Sequence, residues 1–483
     1  MGLRTGEEYR ESIRDGREVY YDGELVKDIT QHPAFKPIID VRARMYDMQF
    51  EDQFKEVLTF ERGNGTRACR AFKPPRAQED LMAQRRYVET VLNEIAGVVE
   101  RVGDDTVGEL WSMHDNIEML RGFNPLFAEN VERHIERLMD LDLFHVSGNT
   151  DPKGDRSRPP QEQDPDMLLH VVDERDDGIV VRGAKYETAA CYANQGFVKP
   201  TIAQWGEAMK DYAVGFITPM NAKGLKLICR TALAIGKDPR DYPIATRFDE
   251  IDTLLIFDDV LVPWENVLFS RVPEAAAYIR GTLHRYVVFP FLLRTLFRAD
   301  MLLGTAFLNI EQTGLEKVPQ VREKLTTLMC YRETINAHLQ ASIYSAQTSP
   351  GGLCMPNQPI VYAGRVFAST NLPTMVAHVR ELAGGQVQLT PDTASWNNPE
   401  VRKYLEKYYA IRDWGMEDRI KLLLFTRDLV DSSMAGHKLS FQLFAQSPPY
   451  ANLVAMFNSF DPTPMKKLVR KAADLSDVVL KES

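Results

Sequence analysis

Apolar positions recur at helical spacing through the first part of the chain. Thr5-Gly6-Glu7-Glu8-Tyr9 opens a short helix that Arg14-Asp15-Gly16-Arg17 ends. Residues 19–21 with Asp22-Gly23-Glu24 form a small hairpin or turn. After His32-Pro33, the spacing of Ile38, Ile39, Val41, Met45 and Met48 predicts a further helix. The broadest apolar face, from Leu81 through Val88, Val91, Leu92, Ile95, Val98 and Val99, predicts one helix over 80–102.

From about residue 141 the period changes. Residues 168–172 and 179–181 flank Asp176-Asp177-Gly178 as a hairpin, and 251–262 is a strand-like run ending at Pro263-Trp264. Between them, an apolar run from Tyr212 stops at Pro219, turns through Asn221 to Gly224, and resumes as Leu225, Leu227 and Cys229 alternating with Lys226, Ile228 and Arg230. That pattern predicts two strands around a turn. Past about 272 the helical period returns in four long segments, 275–312, 318–349, 358–383 and 398–436, split by Gly314, Pro350-Gly351-Gly352 and Gly384-Gly385. The chain therefore reads as α+β, mainly α. Its helical N-terminal domain spans 1–140, its β-rich middle domain 141–268, and its helical bundle 269–483.

Composition narrows the function classes. Hydrophobic residues make up 44% of the 483 residues and charged residues 26%, the balance of a soluble globular protein. The net charge of -10, with no clustered Lys and Arg, argues against nucleic acid or an anionic membrane as partner and favours a small molecule. The long apolar stretch 287–304 carries Arg294, Arg298 and Asp300, so it does not read as a membrane span. The start lacks an apolar signal core, which points to the cytoplasm. Cys69, Cys191, Cys229, Cys330 and Cys354 are too widely spaced for a disulfide frame or a metal site, and each reads as a small buried hydrophobe. No Gly-x-Gly-x-x-Gly follows a strand, so a Rossmann-type NAD(P)H site is absent from the pattern.

Several ordered strings resemble the 4-hydroxyphenylacetate 3-hydroxylase oxygenase family. They are Arg14-Asp15-Gly16-Arg17, Asp28-Ile29-Thr30, His32-Pro33-Ala34-Phe35, the 215–230 stretch, Arg247-Phe248-Asp249-Glu250, and Phe257-Asp258-Asp259-Val260 with Val262-Pro263-Trp264-Glu265. The resemblance runs nearly end to end. It implies an acyl-CoA-dehydrogenase-like fold with a middle β-barrel and a C-terminal four-helix bundle. It also implies a homotetramer that receives reduced FAD from a separate NAD(P)H:flavin reductase. In such enzymes FADH2 meets O2, a C4a-hydroperoxyflavin forms in a dry site, and an aromatic, phenol-like ring is hydroxylated.

The same resemblance carries over particular residues. His145 precedes Asn149, Pro152, Asp155 and Arg156, which resemble a His-x-x-x-Asn-Pro-x-x-Asp-Arg segment with two residues inserted. This implies flavin contacts at Lys153, Gly154, Asp155 and Arg156. It makes His145 the substrate-bonding catalytic residue, with a pKa expected near neutrality. Thr188 matches a flavin-contacting Thr, Pro200 and Thr201 fall at the substrate pocket, and Gln446 and Ser447 sit at a flavin-contacting turn.

The substrate grip departs from the family. A Gly-Arg-x-Pro-Asp-Tyr string is replaced by Trp111-Ser112-Met113-His114-Asp115-Asn116, with Ser112 and Asn116 in the places of the Arg and Tyr and His114 a further polar candidate. A substrate carboxylate loses its bidentate partner, so the expected substrate is aromatic but not 4-hydroxyphenylacetate itself. The alternatives are a 4-hydroxybutyryl-CoA-dehydratase-like flavoenzyme, for which Cys69 lacks a nearby second thiol, an acyl-CoA-dehydrogenase-like flavoenzyme, and a non-catalytic flavin-binding protein.

Overall fold

Thr5 and Glu8 start the first helix, Gly6–Ser12, by reciprocal capping: Glu8 N–H donates to Thr5 Oγ1 at 3.2 Å, and Thr5 N–H to the Glu8 carboxylate at 2.7 Å. The computed structural model describes residues 2–475 apart from 156, 159, 203–204 and 445–447. Helices Lys36–Asp47, Gln78–Ile95, Val107–His114 and Pro125–Leu141 dominate the N-terminal part. The helix expected over 80–102 ends at Ile95, because Ala96 takes a left-handed turn (φ 52°) and Gly97 lies against the Phe248 ring, where a Cβ would sit 2.3 Å from it. The residues after it are freed to form a buried loop.

Beside two small two-stranded sheets, the described strands make two larger open sheets, where a closed barrel was expected. One has six strands in the order Glu24–Leu25, Glu18–Tyr21, Leu225–Cys229, Asp252–Pro263, Gly178–Thr188, His170–Arg175. The other has four, in the order Val267–Ser270, Val214–Pro219, Gln195–Val198, His145–Gly148. The 215–230 stretch is therefore not a paired hairpin. Its first strand is central to the four-stranded sheet and its second joins the six-stranded one, where Leu227 faces Leu255. The polar turn, with Gly224 at φ +88°, carries the chain between sheets. Phe216 and Phe257 meet edge to face across the gap, 5.9 Å between centroids. The small hairpin at Asp22-Gly23 also enters this sheet, because Glu18–Tyr21 pairs in parallel with Leu225–Cys229.

Three helices of 26 residues, Val288–Thr313, Pro319–Tyr344 and Gln358–Ala383, pack with Met416–Val430 as the bundle. Two predicted helices are broken. The segment 275–312 divides into Pro273–Thr282 and Val288–Thr313, because Arg285 and Tyr286 between them turn inward onto Asp115 at 2.7 and 2.9 Å. The segment 398–436 divides at Arg412, where φ is 51° and Ile411 and Trp414 close a tight turn. Cys69, Cys191 and Cys229 are buried as expected, whereas Cys330 is exposed and Cys354 half-buried. No helix among the described residues is long and apolar enough to cross a membrane.

Candidate active site

The strand His145–Gly148 runs parallel to Gln195–Val198, with His145 opposite Gln195 and Ser147 opposite Phe197. Side chains alternate along a strand, so these four residues share one face of the four-stranded sheet. The helix Val107–His114 is bonded to that strand: Thr106 Oγ1 donates to the His145 carbonyl at 2.7 Å, and Glu109 accepts from Ser147 Oγ and, at 2.9 Å, from Asn149 Nδ2.

His145 is fully buried. The Gln195 amide lies 3.4 Å from its Nδ1, and its Nε2 has no partner. Burial pushes the pKa down to about 3, with His134 and Lys199 adding to the shift. The expected imidazole of near-neutral pKa is thus replaced by one that burial holds in its neutral form. With Gln195 donating to Nδ1, the ring proton resides on Nε2, a buried donor with nothing to bond.

Lys199 extends the same face and is fully buried. Its ammonium reaches Glu109 Oε2, Asn149 Oδ1 and, at 2.8 Å, Ser147 Oγ, and lies 4.5 Å from the Phe197 ring centroid. Burial lowers its pKa, and the Glu109 carboxylate opposes that shift. A second buried ammonium, Lys185, meets Asp151 Oδ1 at 2.5 Å and the Lys199 carbonyl at 2.8 Å. Asp151 Oδ2 accepts from Thr201 Oγ1 at 2.6 Å. Around this face lie two sequence candidates, His145 and Thr201, with Pro200 buried between Lys199 and Thr201 in the chain, and five residues that the motifs did not single out, Glu109, Asp151, Lys185, Gln195 and Lys199. Their signal was a lysine ending the apolar run Gly196-Phe197-Val198.

The other sequence candidates lie around this centre. Ser112 gives its hydroxyl to the Thr282 carbonyl at 3.0 Å, with the Gly108 carbonyl at 3.2 Å. Asn116 Nδ2 reaches only Met119 Sδ, at 3.5 Å. His114 instead lines a cavity of about 260 Å³ with Trp111, Ile135, Leu353, Glu132 and Glu136. Lys153 and Asp155 are exposed on the loop after Asp151, and Gly154 packs so closely that a Cβ would sit 2.4 Å from Gln163 Oε1. Thr188 ends its strand and donates to Asp252 Oδ1 at 2.6 Å. Asp252 also holds Arg230 at 2.8 Å and lies 3.3 Å from His437, on the helix Ser433–Phe444. Arg156, Gln446 and Ser447 lie outside the described residues.

Residues 5–269 match the family described as 4-hydroxyphenylacetate 3-hydroxylase N terminal, and residues 274–474 match its C-terminal counterpart. The oxygenase component of 4-nitrophenol 2-monooxygenase from Rhodococcus sp is 32% identical, over 90% of this chain and 84% of that one. The 4-hydroxyphenylacetate 3-monooxygenase oxygenase component of Thermus thermophilus is 30% identical, over 97% and 96%. The crystal structure of such an oxygenase component complexed with FAD and 4-hydroxyphenylacetate superposes with a TM-score of 0.91 at 27% identity, covering 98% of each chain. The shared fold is acyl-CoA-dehydrogenase-like. From its first helix to the last one described, the chain belongs to the 4-hydroxyphenylacetate 3-hydroxylase family.

Proposed function

We propose that this chain is the oxygenase component of a two-component flavin monooxygenase that hydroxylates an aromatic, phenol-like substrate, not 4-hydroxyphenylacetate itself. The observation that carries the reading is His145: a neutral, fully buried imidazole whose Nε2 has no partner, on the sheet face where the family resemblance places the substrate. A phenolic oxygen is the acceptor such a donor lacks. Accepting from Nε2–H fixes the position of the phenolic oxygen and with it the orientation of the ring. Burial of the face excludes water that would compete for that bond.

The described residues fit a bound flavin. Lys153 and Asp155 present charge on an exposed loop, and Thr188, whose hydroxyl donates its hydrogen bond to Asp252, keeps lone pairs free to accept. In this reading Lys153, Gly154, Asp155 and Thr188 hold FAD, with Arg156, Gln446 and Ser447 completing the site from outside the described residues. Reduced FAD supplies the electrons that activate O2. A separate NAD(P)H:flavin reductase provides it, as the names of the relatives, oxygenase components, suggest. The five free cysteines suit a reducing cytoplasm, and the assembly is a homotetramer.

The test is single turnover with chemically reduced FAD, isotope-labelled O2 and a panel of neutral phenols, read by mass spectrometry. A catechol carrying one labelled oxygen is expected from the wild type, and His145→Gln is expected to lower product per O2 by about tenfold or more. If no phenol in the panel gains labelled oxygen, the reading fails.

A further inference from the structure

The sheet face that carries His145 also carries charge, and the charge is matched internally. Lys199 has three ammonium hydrogens, and three acceptors surround it: Glu109 Oε2, Ser147 Oγ and Asn149 Oδ1. The other Glu109 oxygen is held by Asn149 Nδ2 at 2.9 Å. Lys185 is matched in the same way by Asp151, whose second oxygen takes Thr201 Oγ1. Two buried cations thus meet two carboxylates of the chain itself. A third cation, Arg280, bonds the Thr201 carbonyl at 3.3 Å, but its side chain is exposed to water.

Helix geometry places this pair at the substrate end of the site. Glu109 and Ser112 are three residues apart on the helix Val107–His114, and therefore neighbours on its surface. Ser112 offers no cation, and its hydroxyl is already bonded to backbone carbonyls. The cation present comes from the sheet instead, as Lys199, and it arrives with its own counterion. Among the described residues the buried cations of this face, Lys185 and Lys199, already hold counterions, so an entering carboxylate meets Glu109, a like charge in a poorly solvated setting, which is unfavourable.

We propose that the buried Glu109–Lys199 pair sets substrate charge: Glu109 occupies Lys199 from within, so the site accepts an uncharged phenol and rejects one bearing a carboxylate. The proposal rests on the oxygenase reading for what kind of ring enters, while its test is a binding measurement that needs no turnover. The full chain is dialysed to equilibrium at neutral pH against 4-methylphenol and, separately, against 4-hydroxyphenylacetate, which differ in the carboxylate. Wild type is expected to favour 4-methylphenol by about tenfold or more, the ratio that about 1.4 kcal/mol produces. Glu109→Gln keeps an acceptor for Asn149 and releases the Lys199 charge, so the preference should shift toward the anion by a similar factor. In the double variant Glu109→Gln with Lys199→Met the freed cation is gone and the shift should be lost. Equal binding of the two phenols by wild type overturns the proposal, as does an unchanged ratio in Glu109→Gln or failure of wild type to take up either phenol. Failure of labelled-oxygen transfer with the neutral preference intact would instead remove the oxygenase reading and leave the charge filter standing.

Discussion

A histidine kept neutral by burial makes the folded state sensitive to acid. His145 has its pKa pushed down to about 3, and His134 and His284 theirs to about 4, all chiefly by burial. In the unfolded chain each returns to an ordinary value of about 6.5. Below that value the unfolded state binds protons that the folded state refuses, so stability is fully present above about pH 6.5 and is lost as pH falls toward the folded pKa. Each histidine contributes a slope of up to about 1.4 kcal/mol per pH unit. His145→Gln, which removes one of them, should flatten the fall in urea-unfolding free energy between about pH 6 and about pH 5 by roughly that amount. An unaltered slope would mean that the ring is hydrated or charged in the fold, and would withdraw the neutral donor from the proposed chemistry.

At the scale of elements, the irregular segment that follows the helix Gln78–Ile95 joins all three parts of the chain. Glu100 accepts from Arg298 at 2.6 Å, Arg294 from the long helix is fully buried against Asp104, and Arg101 reaches Asp105 and the strand residue Glu187 at 2.8 Å each. Glu250 completes the group by accepting the Glu100 and Arg101 N–H groups and Lys438 Nζ at 2.8 to 2.9 Å. Removing one member of a buried pair leaves an uncompensated charge, so Arg294→Met should cost about 3–5 kcal/mol in chemical denaturation. Arg294→Met combined with Asp104→Leu should recover most of it; a double variant as unstable as the single one would contradict the pairing. This segment also marks where sequence patterning stops being informative. The long apolar faces were legible because burial of one stripe repeats every three or four residues, and 358–383 coincides with the helix Gln358–Ala383. The loop at 96–106 was not, since Val98 and Val99 continue the apolar count while Gly97 is forced out of the helix by the Phe248 ring. Likewise the strands of 215–230 were legible from alternation, but their assignment to different sheets depends on distant partners such as Leu255 and Val267. At the site, His145 stood in a recognisable string and Thr201 at a fixed spacing from Thr188, whereas Glu109 and Lys199, 90 residues apart, have no local pattern to announce them.

At the scale of the molecule, the described residues leave the C-terminal helices largely uncovered. Phe457 is 83% exposed, Tyr450 72% and Leu468 68%, with Leu453, Val454, Met465 and Val469 also open, and the helix Thr463–Ala472 buries none of its residues. So many exposed apolar side chains on two successive helices of a chain with net charge -10 call for a cover. Lys466, Lys467, Arg470 and Lys471 on the last helix give it a basic face suited to the acidic body of another copy. Covering a side chain such as Phe457 or Leu468 contributes about 1.5–3 kcal/mol, so four such residues roughly balance an association cost of about 4–15 kcal/mol and leave little surplus. Stable assembly therefore requires the tail to be buried together with other surface, as a closed symmetric oligomer provides. Light scattering at micromolar concentration should give the mass of four chains for the wild type. Phe457→Asp with Leu468→Asp should move it to a smaller species while far-UV circular dichroism stays native-like, because neither side chain supports the chain's own core. A monomeric wild type would show that the exposed tail is covered by something other than a copy, and an intact tetramer of the double variant would place the interface elsewhere on the molecule.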